Sequence, residues 1–175
     1  MTAGRGCCGF TLIELMIVIA VMVALSVLAV PSIRAMVENF SVNRAAQTMV
    51  SDLNWARLLA IRTGRSSTVD FDVPAANQYT ITWQENGVAR TRVSDLTSYR
   101  GGVRFEPAPP GAATPAPVAT ITFTARGFTQ ANPQGWGDIY LTDRNNSKIL
   151  QVETNFAGSI IERRWSAGGN TWMEK

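Results

Sequence analysis

The stretch "GFTLIELMIVIAVMVALSVLAVP", residues 9–31, decides the architecture. From Phe10 to Val30 its only polar members are Thr11, Glu14 and Ser26. As a helix rising about 1.5 Å per residue, such a run spans roughly 30 Å and can cross a bilayer. A secretory signal has a shorter apolar part that ends in small residues at a cleavage site, whereas here the small and polar residues, with Arg5, come before the run. The run is therefore expected to stay in the protein as a transmembrane segment. Arg5 is the only charge ahead of it, and the positive-inside rule leaves the short N-terminus in the cytoplasm and sends the rest outward.

Glu14 is the anomaly in this run. An ionised carboxylate at the centre of a bilayer costs a few kcal/mol even on lenient insertion scales. Glu14 stands four residues after Phe10 and could snorkel to the headgroups from a helix end. The other reading needs a positive charge at the same depth, and a cut between Gly9 and Phe10 would create one: the new α-amino group. Two such chains side by side could each present an amine to the other's carboxylate.

"GFTLIELMIVIAVMVALSVLAVP" resembles the class III signal of type IV prepilins and type II secretion pseudopilins, a short basic leader ending in glycine, then phenylalanine, then glutamate four residues on. In that superfamily a membrane peptidase cleaves after the glycine and methylates the new N-terminal phenylalanine, and the glutamate guides the subunit into a growing filament. The resemblance thus implies that Gly9 and Phe10 are the processing site and Glu14 the assembly carboxylate. Pro31 matches the proline that bends the long pilin helix. The leader departs from the pattern in carrying Cys7 and Cys8, which have no role in it; its removal would leave a chain without cysteine.

Beyond Pro31 the pattern turns amphipathic. Ile33, Met36, Val37 and Phe40, then Met49, Leu53, Ala56 and Ala60, recur at three- and four-residue steps and predict a core-facing stripe. Arg34, Glu38, Asn43, Arg44, Gln47, Asp52 and Arg57 form the opposite, polar face. The helix should stop near Thr63-Gly64, where a glycine suits the cap. Membrane run and amphipathic run together predict one helix roughly 80 Å long, kinked at Pro31 rather than ended there.

After Gly64 the β-branched and aromatic residues of "STVDFDV", "YTITWQ" and "VARTRV" predict strands, with Glu85-Asn86-Gly87 as the turn between the last two. "GVRFE", "VATITFTARG", "GDIYLTD", "KILQVET" and "SIIERRW" read as further strands, interrupted by the proline- and alanine-rich loop 107–117. The expected fold class is α+β, a pilin fold in which a long N-terminal helix, transmembrane in its first half, packs on a mainly antiparallel sheet of six or seven strands. The expected domains are a prepilin leader over 1–9, the long helix over 10–64 with 10–30 transmembrane, and an extracytoplasmic β-rich domain over 65–175. "FTARGFTQ" is similar to the Phe-x-x-x-Gly turn of the GspH/FimT family of minor pseudopilins and pilins, with Phe123 and Gly127 in the matching places. "LNWARLLAIRTGRSSTVDF" and "YLTDRNNSKILQVETNFAGSI" also resemble that family's helix end and final hairpin.

Composition argues against an enzyme. The chain has no histidine, and its two cysteines are adjacent, so the commonest general base and any spaced metal site are missing. Neither a cofactor nor a catalytic residue is expected. The net charge of +3 suits an anionic surface or nucleic acid without requiring either. Asp70 and Asp72, two apart on a strand, would share a face as a carboxylate pair or a solvated surface. "DRNNSK" from Asp143 has calcium-like oxygen spacing but lacks the loop glycine and distal acid, and reads as a turn. Arg163, Arg164 and Trp165 combine phosphate-pairing charge with a stacking ring. Some FimT-type minor pilins bind DNA through a C-terminal Gly-Arg-x-Arg pattern; the matching place here, Gly158-Ser159-Ile160-Ile161, lacks the arginine, and Arg163 and Arg164 could replace it only from opposite faces of a strand. A solvated edge or subunit contact is the other reading of these residues, and Trp136, Trp165 and Trp172 suit core or interface as well.

The resemblance implies a minor pilin or pseudopilin, processed by a prepilin peptidase/methyltransferase and assembled into a type IV pilus or type II secretion pseudopilus near its tip. The alternative is a filament-borne DNA-binding subunit for uptake. The implied partners are other pilin subunits, the peptidase, an inner-membrane assembly platform and the membrane. The implied location is single-pass in the inner membrane, N-terminus cytoplasmic and C-terminal domain periplasmic, and then the filament.

Overall fold

The computed structural model describes residues 10–107, 109, 118–132, 137–146, 148–166 and 171–174, with the side chains of 27–35, 37–39 and 131–132 outside the description. The leader, most of the proline-rich loop and Trp136 lie outside the described residues. Two compact units divide within the first helix, at Met36 and Val37.

Helix α1 covers Leu12–Thr63. Its start is set by Thr11, whose hydroxyl accepts from the Glu14 N–H at 3.3 Å and whose carbonyl accepts from Leu15 N–H at 3.2 Å. That is an N-cap satisfying donors the first turn cannot pair internally. The helix is continuous through Pro31. It ends where glycine permits: Gly64 takes φ +65°, a conformation that costs any residue with a Cβ.

In the second unit α1 carries a stripe of buried side chains, Val42, Ala45, Ala46, Met49, Leu53, Ala56 and Ala60. Four of these are alanines, which let backbones approach closely while Met49 and Leu53 fill the remaining space. The predicted stripe holds from Met49 to Ala60, but Met36 and Phe40 are exposed, at 60% and 62%. The side chains of Ile33 and Val37 lie outside the description; among those described, the buried apolar side chains of α1 begin at Val42.

The strands are β1 (Ser67–Phe71), β2 (Gln78–Glu85), β3 (Val88–Asp95), β4 (Arg104–Phe105), β5 (Thr120–Phe123), β6 (Thr129–Asn132), β7 (Gly137–Thr142), β8 (Ile149–Thr154), β9 (Ile160–Ser166) and β10 (Thr171–Glu174), with a 3-10 turn at Leu96–Ser98. They form two five-stranded sheets where the sequence predicted one, ordered β3-β2-β1-β5-β6 and β10-β9-β8-β7-β4. Every pairing among the described residues is antiparallel. Asn86 and Gly87 both take positive φ, 52° and 79°, as the two-residue hairpin between β2 and β3 requires. Val69, Ile81, Ile121 and Phe123 of the first sheet and Ile139, Leu141, Leu150 and Val152 of the second share one core with the α1 stripe.

Asp70 and Asp72 do not form a pair. The strand ends at Phe71 because Asp72 turns to φ +57°, where its carboxylate accepts from Asn77 N–H at 2.8 Å, while Asp70 accepts from the Thr120 hydroxyl at 2.8 Å. The Asp143 segment is a turn: Asn146 takes φ +53° and donates from its N–H to the Asp143 carbonyl at 3.2 Å. Among the described residues no cluster of three or more acidic or cysteine side chains could hold a metal ion.

Candidate functional site

Every described residue from Phe10 to Ser26 is exposed, with Phe10 at 71%, Leu12 at 77% and Leu25 at 62%. Two of the three polar side chains of this segment are satisfied within the helix: Thr11 caps it, and the Ser26 hydroxyl donates to the Met22 carbonyl at 2.8 Å. Glu14 is left. It stands at the third helical position, its N–H held by Thr11, and a carboxylate there lies favourably in the field of the helix N-terminus. Thr11-Leu12-Ile13-Glu14 has the spacing of a capping box, a signal legible in the sequence but masked by the apolar context. Among the described residues no side chain pairs with the Glu14 carboxylate. Gly9 lies outside the described residues, and Pro31 stands inside α1. Among the described residues no helix is long and apolar enough to cross a membrane.

The basic and aromatic residues near the C-terminus meet a different environment. The Arg163 guanidinium is ion-paired with Glu153 on β8 and lies 3.7 Å from the Glu174 carboxylate on β10. Trp165 pairs across the sheet with Trp172, ring centroids 5.0 Å apart, and Trp172 in turn stacks on Tyr140 at 5.7 Å. Arg164 is exposed, and its cross-strand neighbours are Leu150 and Met173. The alternation of a strand places it on the opposite face from Arg163 and Trp165. The structure therefore brings Arg163 and Trp165 together and leaves Arg164 apart.

Beside this cluster lies a buried polar pair. Gln151 Nε2 donates to Asp138 Oδ1 at 2.6 Å. Burial pushes the Asp138 carboxyl up to about 6, with the Glu153 charge adding, against the lowering effects of the Gln151 hydrogen bond and Arg163. Gln151 Oε1 and Trp172 Nε1 are buried without a hydrogen-bond partner among the described residues.

The Phe-x-x-x-Gly turn has a mechanical explanation. Phe123 is fully buried on β5, and the chain reverses through Gly127, whose N–H donates to the Thr124 carbonyl at 2.8 Å. A Cβ on Gly127, at φ +80°, would lie 2.8 Å from Ile61 Cδ1 of α1. Arg57 Nε donates to the Gly127 carbonyl at 3.0 Å and its terminal nitrogen to the Ala157 carbonyl at 3.2 Å. A Cβ on Gly158 would fall 2.2 Å from that same Gly127 oxygen. Arg57, assigned by periodicity to the solvated face, thus ties the β5–β6 turn and the β8–β9 turn to the helix. No local pattern could have revealed this, because its acceptors lie 70 and 100 residues away.

Residues 45–158 match the family described as type II transport protein GspH. The chain belongs to this GspH family. Residues 4–30 also match the prokaryotic N-terminal methylation motif, which takes in Gly9, Phe10 and Glu14. The GspH match stops at Gly158, so Arg163, Arg164 and Trp165 fall beyond it. The type IV minor pilin FimU of Pseudomonas aeruginosa PAO1 has a similar fold, with a TM-score of 0.50 at 20% identity over 71% of this chain and 90% of that one. The minor pseudopilin EpsH from the type 2 secretion system of Vibrio cholerae aligns with a TM-score of 0.47 at 15% identity, over 73% of this chain and 98% of that one. None of the curated proteins matches the chain.

Proposed function

We propose that this GspH-family chain is a minor subunit of a membrane-assembled filament, a type IV pilus or type II secretion pseudopilus, built in near its tip. The chain is cut between Gly9 and Phe10 by a prepilin peptidase that also methylates Phe10. It is held single-pass in the inner membrane by residues 10–30, N-terminus inside and β-rich domain in the periplasm, and passes through an assembly platform into the filament. The observation that carries this reading is the exposed apolar segment Phe10–Ser26 with its one carboxylate. A continuous apolar surface of that extent needs a non-aqueous neighbour, lipid before assembly and other helices after it. Glu14 then receives the Phe10 amine of an adjacent subunit, and the cost of a lone charge in lipid is offset by the pairing.

The test is Glu14→Leu in the native host. The variant is expected to be processed and to fractionate with the membrane, yet to be missing from sheared filaments. Normal incorporation of the variant would remove the pairing account. A DNA-binding role would have to rest on Arg164, because Arg163 is occupied by two carboxylates.

A further inference from the structure

We propose that the cleft between α1 and the 3-10 turn after β3 is a binding site for a phosphate-bearing anion, supplied by the headgroup of an anionic phospholipid. The cleft has a volume of about 820 Å³ and is lined by Arg44 and Gln47 of α1, by Ser98, Tyr99 and Arg100 of the turn, and by Phe40 at one side. Arg44 and Arg100, from separate elements, both line it, and among the described residues no carboxylate does.

Two more cations lie close by, Lys148, which donates to Asn43 of the cleft lining at 2.7 Å, and Arg144, whose side chain lies beside Gly102, whereas the nearby acids and several other arginines are paired. Asp95, the closest acid in sequence to the turn, caps it through the Thr97 N–H and hydroxyl and accepts from Gln78 as well. These bonds hold its carboxyl below the usual range. Asp52 faces Arg92 at 3.3 Å. Arg62, Arg92, Arg104 and Arg163 each have an acidic partner, and Arg57 and Arg65 donate to amide and carbonyl oxygens. Arg44 and Arg100 have neither kind of partner among the described residues. Two like charges facing one concavity repel each other, and an anion between them removes that cost. The planar guanidinium fork matches phosphate oxygens.

The choice of source comes from sequence position and from Phe40. Phe40 is ten residues past the last residue of the apolar run and is 62% exposed, a bare ring beside two cations. A pair of guanidiniums beside an exposed ring, close in sequence to an apolar segment, suits the anionic oxygens of a headgroup and the apolar edge next to them. This source rests on the anchored reading given above; the anion site itself does not.

The experiment uses the full chain in a neutral detergent micelle, titrated with phosphatidylglycerol, phosphatidylcholine and inorganic phosphate, and followed by native mass spectrometry and by the Nε–Hε resonances of arginine. Wild type is expected to retain phosphatidylglycerol over phosphatidylcholine, and Arg44→Gln with Arg100→Gln to lose that preference by about tenfold or more, the worth of one to two charge-assisted hydrogen bonds. Arg100→Gln alone, on an exposed turn, serves if the double variant fails to fold, and should lose part of the preference. Phosphate binding that needs both arginines, without any lipid preference, would keep the anion site and reassign its source to a soluble phosphate. Equal lipid retention in wild type and variant, with no response to phosphate, would overturn the proposal. Carbonate extraction of wild-type membranes separates the two readings: a released chain sinks the membrane anchor while leaving the phosphate arm to decide the cleft.

Discussion

At the scale of single residues, the glycines separate two physical demands. Gly64 and Gly158 both take positive φ, but a Cβ on Gly64 would meet nothing within 4 Å, whereas one on Gly158 would collide with the Gly127 carbonyl and with Arg57. Gly64→Ala should therefore cost only the backbone strain, about 1 kcal/mol. Gly158→Ala should add the clash and the loss of the Arg57 tie, for about 3 kcal/mol in all. Equilibrium unfolding of the two variants checks the ratio, and equal losses would mean that the turn yields without consequence. Asp138 gives a pH test. The folded chain holds its proton more tightly than the unfolded one, so this group's contribution is complete below its unfolded value of 3.8 and is lost as pH rises through about 6. Stability from this source should fall between those limits by on the order of 2 kcal/mol. Asp138→Asn should flatten that part of the profile in denaturant titrations, and an unchanged slope would show that the carboxyl does not titrate there.

At the scale of elements, α1 is fastened to the first sheet by buried polar contacts as well as by apolar packing. Asp52, buried on the helix, accepts from the Tyr79 hydroxyl at 2.7 Å and from Ser94 at 3.2 Å, and faces Arg92, which also lies over the Trp55 ring at 5.3 Å. Burial, foremost, pushes the Tyr79 hydroxyl well above the ordinary tyrosine range, so it stays a donor. Asp52→Ala should cost about 2–4 kcal/mol, because it strands the Tyr79 hydroxyl and frees Arg92. The Asp52→Ala, Tyr79→Phe double variant should recover part of that loss, and a double-mutant cycle with no coupling would contradict the tie.

This contact also marks what could be read from the sequence. Helix start and stop, the Asn-Gly hairpin and the apolar strands were legible because each is a local signal of period, cap or turn. Asp52 and Arg57 were assigned to solvent because charge periodicity registers polarity and not the distant groups that satisfy it. The short strand "TQAN" of β6 and the terminal "TWME" of β10 carry no alternation, and they exist only because a neighbour pairs with them. The division into two sheets depends on β1 pairing with β5 across some fifty residues, a long-range choice that no window of sequence contains.

At the scale of the whole molecule, the chain joins two stretches with opposite needs. Residues 37–175 bury a core between helix and sheets, while Phe10–Ser26 buries nothing of its own. The candidate processing and assembly residues, Gly9, Phe10 and Glu14, rest on a short motif with strict spacing, whereas Arg163, Arg164 and Trp165 were grouped by adjacency alone and a strand separates adjacent residues. The central claim is that the exposed segment is a processed membrane and filament helix. Its most direct test is the intact mass and N-terminal sequence of the chain purified from membranes of its native host, wild type beside Gly9→Ala. The account predicts a mature chain beginning with methylated Phe10 in wild type, and an uncut chain in the variant. A wild-type chain that still carries Cys7 and Cys8 would contradict it.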